Sequence, residues 1–180
     1  FDDHGINLHI DAGKSYVSES MASMTAAERK GGDTEPYTAE YFGGLDDDGR
    51  TVKLEEQADR LLGARRSVFR SALIGTRFDE SDKKNVTGLG QVNGSTFFIS
   101  GDVTNSDELL RNTILHEFGH NLGLTHSGAS AVKKPNSAYV PKYKSVMNYL
   151  YQFSYFDYSD TNSTSNDNTV IPESCYDGTA

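Results

Sequence analysis

Apolar positions change their spacing several times along the chain, and each change predicts an element. From Gly5 to Asp11 they alternate. Ile6, Leu8 and Ile10 face one way and His9 and Asp11 the other, which predicts a strand with one buried face. Residues 12–50 hold no sustained period. Within them Ser20–Lys30 reads as a short helix and Gly31–Gly49, rich in Gly, Asp, Tyr and Pro, as a long loop. Helical spacing begins at Thr51 and runs to about Ala64 or Arg66, through Val52, Leu54, Ala58, Leu61 and Leu62. Thr51 suits the cap, and Glu55 and Glu56 place acids in the first turn. Ser67–Phe78 then predicts a strand near residues 68–76, with continuation of the helix through Leu73 as the alternative, and Asp79–Asn85 a charged loop.

Gln91–Ser95 reads as a turn and Thr96–Ser100 as a strand rich in aromatic and β-branched residues. Asn105, with Glu108 three residues on, predicts a capping box and a helix reaching about Leu122. Leu110 and Ile114 form one apolar stripe of that helix, and Leu115, Phe118 and Leu122 another, as for a helix held between two layers. Beyond His126 no regular period remains. Six aromatics crowd between Tyr149 and Tyr158 and are expected to build a small core, with a sugar-binding platform as the sharper alternative. Ser159–Thr169 reads as a loop. The pattern as a whole is that of an α+β domain.

The helix predicted from Asn105 ends in His116-Glu117-Phe118-Gly119-His120-Asn121-Leu122-Gly123-Leu124-Thr125-His126. His116 and His120 lie four residues apart, so on a helix they share a face and can share a metal. Glu117 leans toward that face without being a ligand, which suits a general base for a metal-activated water. Gly123 can take a positive φ at little cost, end the helix and let the chain swing His126 in as a third nitrogen ligand. Three histidines with a fourth position open are the pattern of a catalytic zinc site. A helix with incidental histidines is the rival reading, and it requires three of the five histidines in the chain to be decoration.

This stretch resembles the signature of the metzincin clan of zinc endopeptidases, in which the extended motif is followed by a Met-turn. Ser145-Val146-Met147-Asn148-Tyr149 is the matching candidate, with Met147 twenty-one residues after His126. A Tyr two positions after the Met is similar to astacins, serralysins and pappalysins. The run Ser145–Phe153 resembles a broad group of secreted microbial metzincins with an S-V-M-N-Y-x-x-Q-F pattern. The resemblance implies a single α+β catalytic domain over residues 1–180, with a twisted mixed sheet and backing and active-site helices. Residues 1–123 would form the upper part and 124–180 a small irregular lower part. It implies one catalytic zinc on His116, His120 and His126, Glu117 as general base, Met147 as a structural residue beneath the histidines, and Tyr149 as a stabiliser of the oxyanion. The strand before the active-site helix, Thr96, Phe97, Phe98 and Ile99, would be the sheet edge that binds an extended substrate; an ordinary strand without that role is the alternative. Tyr143 is a candidate pocket wall. A C-terminal helix, usual in the clan, is not evident unless it starts near Pro172. The implied activity is hydrolysis of protein or peptide substrates by a secreted, monomeric zinc endopeptidase. The alternative is a binding protein, such as an adhesin, that uses the same scaffold without proteolysis.

Composition narrows the remaining possibilities. A net charge of −9 without a basic cluster excludes nucleic acid as an expected partner. No run approaches the roughly 18 apolar residues that span a bilayer. Phe1-Asp2-Asp3-His4-Gly5 is not a signal peptide, so Phe1 reads as the start of a mature or excised domain. The one cysteine, Cys175, allows no intramolecular disulfide and reads as a buried or free thiol, with a latency role on zinc as the rival. Asn85, Asn93 and Asn162 begin glycosylation sequons. His9-Ile10-Asp11 is a candidate second metal site. Asp46-Asp47-Asp48-Gly49 superficially resembles a calcium loop but lacks the spaced ligands and terminal Glu, so a solvated turn is expected, with Ca2+ as the alternative.

Overall fold

The computed structural model describes residues 5, 7–25, 31–36, 41, 52–76, 86–129, 138–139 and 143–158. The chain divides into two compact units, Phe1–Thr38 and Ala39–Ala180.

In the first unit the alternating segment does not form the expected strand. Residues 7–10 hold no regular structure, and Leu8 and Ile10 are exposed. Asp11 makes only an isolated antiparallel bridge with Val17. Its carboxylate accepts from the backbone N–H groups of Gly13 at 3.0 Å and Gly31 at 2.9 Å, so it closes a loop. Of the helix expected over Ser20–Lys30, the described residues contain one 3-10 turn, Glu19–Met21. The acidic run Asp46–Gly49, the sequons at Asn85 and Asn162, Cys175, and the expectations for Ser159–Thr169 and Pro172 lie outside the described residues.

The second unit is a mixed α/β structure. Helix α1, Val52–Leu62, buries Leu54 and Ala58 and turns Lys53, Glu56 and Asp59 outward, as its spacing predicts. Glu55 is the acid in the first turn, as expected. It is buried, and its Oε2 accepts from Arg66 at 3.1 Å and from the Ser95 hydroxyl at 2.9 Å. After a 3-10 turn at Gly63–Ser67 the chain enters β1, Ser71–Gly75, so the helix does not run on through Leu73.

Strands β2, Gly88–Gly90, and β3, Thr96–Ser100, complete a sheet of order β1-β3-β2. β1 is parallel to β3, with Ser71 opposite Thr96, and β2 is antiparallel to it, with Leu89 opposite Phe98. β3 is thus central and buried throughout. Phe98 packs with Leu54 and Tyr41, and burial of such side chains stabilises the fold by about 1.5–3 kcal/mol each. Helix α2, Asp107–Asn121, lies against β2 and β3. A two-stranded hairpin follows, β4 at Leu124–Thr125 and β5 at Gly128–Ala129.

A second small core joins Tyr143, Val146 and Met147 to Leu115, Leu124 and Tyr158. The aromatic run contributes less to it than expected. Tyr149, Phe153 and Phe156 are exposed, and Phe156 instead carries the Arg111 guanidinium 4.0 Å from its ring centre. Among the described residues no helix is long and apolar enough to cross a membrane.

Candidate metal centre

α2 carries two of the three histidines, so its ends decide where they stand. Its cap is Ser106, not Asn105: the Ser106 hydroxyl accepts from the Leu109 N–H at 3.3 Å, with Asp107 and Glu108 in the first turn. At the other end Gly123 has φ +94°, the left-handed conformation expected of it. The His120 carbonyl accepts from the N–H groups of Gly123 and Asn93, each at 2.9 Å. Asn121 donates from Nδ2 to the carbonyls of Gln91 and Thr96, each at 3.0 Å, and so ties the helix end to the turn between β2 and β3. The chain then forms the β4–β5 hairpin, whose two turn residues are His126 and Ser127. Thr125 Oγ1 donates to the Gly128 carbonyl at 2.8 Å and fixes that turn. The hairpin, which no periodicity announces, brings His126 to the other two histidines.

Backbone carbonyls orient two of the rings. His116 Nδ1 donates to the Val146 carbonyl at 2.8 Å, and His120 Nδ1 to the Leu124 carbonyl at 2.8 Å. A carbonyl only accepts, so each Nδ1 carries the hydrogen and each Nε2 keeps a lone pair. His120 Nε2 lies 3.2 Å from His126 Nε2, and ligand atoms of all three residues fall within 4.8 Å of one another. Two imidazole nitrogens on one tetrahedral zinc, each about 2.0–2.1 Å from it, stand roughly 3.3 Å apart, so the His120–His126 spacing fits a shared ion. Burial, and then the neighbouring histidine charges, push His116 down to about 3, with the Val146 bond acting in the opposite sense. Burial and then His120 push His126 down to about 4, and burial lowers His120. The cluster is therefore neutral around pH 7, the state in which imidazole donates to a metal. These three residues are the one group of three or more possible ligands at that spacing among the described residues, and His9 and Asp11 belong to no other such group there.

Glu117 is buried beside this cluster. Burial pushes its carboxyl up to about 8, while a hydrogen bond from the Gly90 N–H acts in the opposite sense. A cavity of about 510 Å³ opens over Glu117 and His116, with Val86, Val103, Leu109 and Phe153 as apolar walls. Gly88, the first residue of β2, lines this cavity. The expectation that Thr96, Phe97, Phe98 and Ile99 form the substrate edge is not met, because β3 is bonded to a strand on each side and all four residues are at most 4% exposed. β2 is the outer strand, with no described strand beyond it. The Ser100 N–H donates to the Thr87 carbonyl at 2.8 Å, so Thr87 and Leu89 turn their backbone groups toward β3 and Gly88 turns its own away.

Tyr149 lines the cavity and is exposed, with its ring centre 4.3 Å from that of His126 and 5.7 Å from that of Tyr139. Met147 is fully buried against α2, and a side chain at Gly119 would overlap its sulfur. Tyr143, expected at the pocket wall, is buried in the core with Met147. Two further contacts pin α2 to the segment around Met147, and a third closes the segment on itself. Asn112 Nδ2 donates to the Gln152 carbonyl at 2.8 Å, the Tyr158 hydroxyl to the Leu115 carbonyl at 2.6 Å, and the Val146 N–H to the Asp157 carbonyl at 2.8 Å within the segment itself. Sequence reasoning missed Asn112 and Gly119, whereas Tyr158 joins the small core expected of it. Asn112 and Gly119 interrupt an otherwise helix-favouring run, and that interruption is the signal they offered.

No protein-family model, no curated protein and no solved structure matches the chain.

Proposed function

We propose that the chain is a secreted zinc-dependent endopeptidase, with zinc held by His116, His120 and His126. The observation that carries this reading is the convergence of three neutral imidazoles, with two Nε2 atoms 3.2 Å apart, beside a buried carboxyl at the floor of an open cavity. Zinc held there supplies Lewis acidity toward water and toward a peptide carbonyl. Glu117 takes the proton of the attacking water and delivers it to the departing amine. Tyr149 donates its phenolic hydrogen to the carbonyl oxygen as negative charge develops there. Gly88, with its N–H and C=O turned away from β3, pairs with the backbone of an extended peptide, the role first expected of Thr96–Ile99. The apolar walls of the cavity favour an apolar side chain next to the cleaved bond.

The test is digestion of a denatured protein mixture by wild type and Glu117→Ala, each with and without a chelator, with cut sites read by mass spectrometry. Cuts lost on chelation and on substitution support the reading. Absence of cuts from folded, zinc-loaded wild type favours the binding-protein alternative. Tyr149→Phe is expected to slow turnover on the order of 100-fold while the protein still holds one zinc; an unchanged rate removes Tyr149 from the mechanism.

A further inference from the structure

Helix α2 is not the only element that sets the position of Glu117. Its side chain lies on the face of β2 that carries Gly88 and Gly90, two residues apart and therefore on one side of the strand. A methyl group on Gly88 would stand 2.5 Å from Glu117 Oε1, 2.6 Å from Cγ and 2.7 Å from Cδ. A methyl group on Gly90 would stand 2.9 Å from Oε2 and 2.7 Å from the Glu117 carbonyl oxygen. Neither glycine is among the residues of positive φ, so backbone conformation does not call for glycine at either place. The space does. The Gly90 N–H also donates to the carboxylate. A glutamate side chain turns about several bonds, and beside an open cavity it can swing away from a reacting water. Against bare backbone, held at one end by an N–H, it has one place to lie.

We infer that the Gly88–Gly90 face of β2 is a seat for Glu117, and that these two glycines are positioning residues for the proton transfers proposed above. The kinetic part of this inference rests on the endopeptidase reading, and the packing part does not. Proximity sets the scale, since a displacement of about 1 Å at a reacting group costs on the order of 100-fold in rate.

The deciding experiment is a double-mutant cycle in the melting of the metal-free protein, comparing Gly88→Ala in wild type and in Glu117→Ala. A drop in melting temperature in wild type, largely absent in Glu117→Ala, is the expected result. An equal drop in both backgrounds, or none in either, overturns the seat. Should Gly88→Ala alone fail to fold, a folded Gly88→Ala/Glu117→Ala protein supports the seat and an unfolded one overturns it. The second arm measures cleavage at one bound zinc per chain. Gly88→Ala is expected to lose about 100-fold in kcat with little change in KM. Glu117→Asp, which slows wild type, should not slow Gly88→Ala further, because the shorter carboxylate retreats from the added methyl. Cleavage by Gly88→Ala at the wild-type rate overturns the positioning role. A wild type that cleaves nothing sinks the endopeptidase reading alone, since the melting cycle still decides the seat.

Discussion

The two faces of α2 are held by opposite means. Toward the segment around Met147 the contact is full: Met147 and Asn148 have no exposed surface, Asn112 and His116 bond its backbone carbonyls, and Tyr158 bonds back to the helix at Leu115. Toward β2 the contact is made by leaving side chains out, with Glu117 laid on the glycine face. Each arrangement matches the group it serves. A metal ligand must hold one direction, and close packing with a hydrogen bond at the far ring nitrogen does that. In the proposed reaction Glu117 carries protons and needs room to meet water and substrate, and a strand face without side chains provides a firm surface beside an open cavity.

The largest effect that would test this comparison is on the filled face. Met147→Ala removes a fully buried side chain and is expected to cost about 2–5 kcal/mol of stability, with weaker metal retention because the Val146 carbonyl that orients His116 lies one residue away. Met147→Leu should cost less than about 1.5 kcal/mol. Equal, small losses for both in denaturant unfolding would show that the packing around Met147 is not what holds the face together. Next in size, Asn112→Ala leaves the Gln152 carbonyl without its partner and is expected to cost about 1–3 kcal/mol. Unchanged unfolding would make that bond incidental.

The smallest effect is a pH dependence of the metal-free protein, which separates the two faces by sign. The folded-state value of His116 is depressed, so its contribution is present above its unfolded value of 6.5 and is lost as pH falls toward about 3. The folded-state value of Glu117 is raised, so its contribution is present below its unfolded value of 4.5 and is lost as pH rises through about 8. Melting of the chelated protein should therefore weaken toward both limits, and Glu117→Gln should flatten the alkaline side only. A Glu117→Gln curve that still falls between pH 5 and pH 8 as steeply as wild type would place the alkaline loss elsewhere.

Local patterns were legible where one segment carried the whole signal. The period of Val52–Leu62, the run Thr96–Ser100 and the end of α2 at Gly123 all rest on neighbours within a few residues. The pattern failed where burial depended on distant partners. Alternation over Gly5–Asp11 predicted a strand, yet alternation only offers a face and does not supply a sheet to cover it. Of the aromatics from Tyr149 to Tyr158, read as one core, Tyr158 joins Tyr143, Val146 and Met147, whereas Tyr149, Phe153 and Phe156 are exposed. Thr96–Ile99 read as an edge because sequence order places it just before α2, whereas pairing order, which sequence does not reveal, makes it central.

The three histidines and Glu117 were determined by the sequence itself, because helical geometry converts a spacing of four and a terminal glycine into a shared face and a turn. Which groups orient and seat them was decided only by tertiary structure. The carbonyls of Val146 and Leu124 and the bare face of Gly88 and Gly90 act through backbone atoms and through space left empty. Every residue carries a carbonyl and a glycine has many uses, so neither leaves a distinctive mark in a chain until folding brings it to its partner.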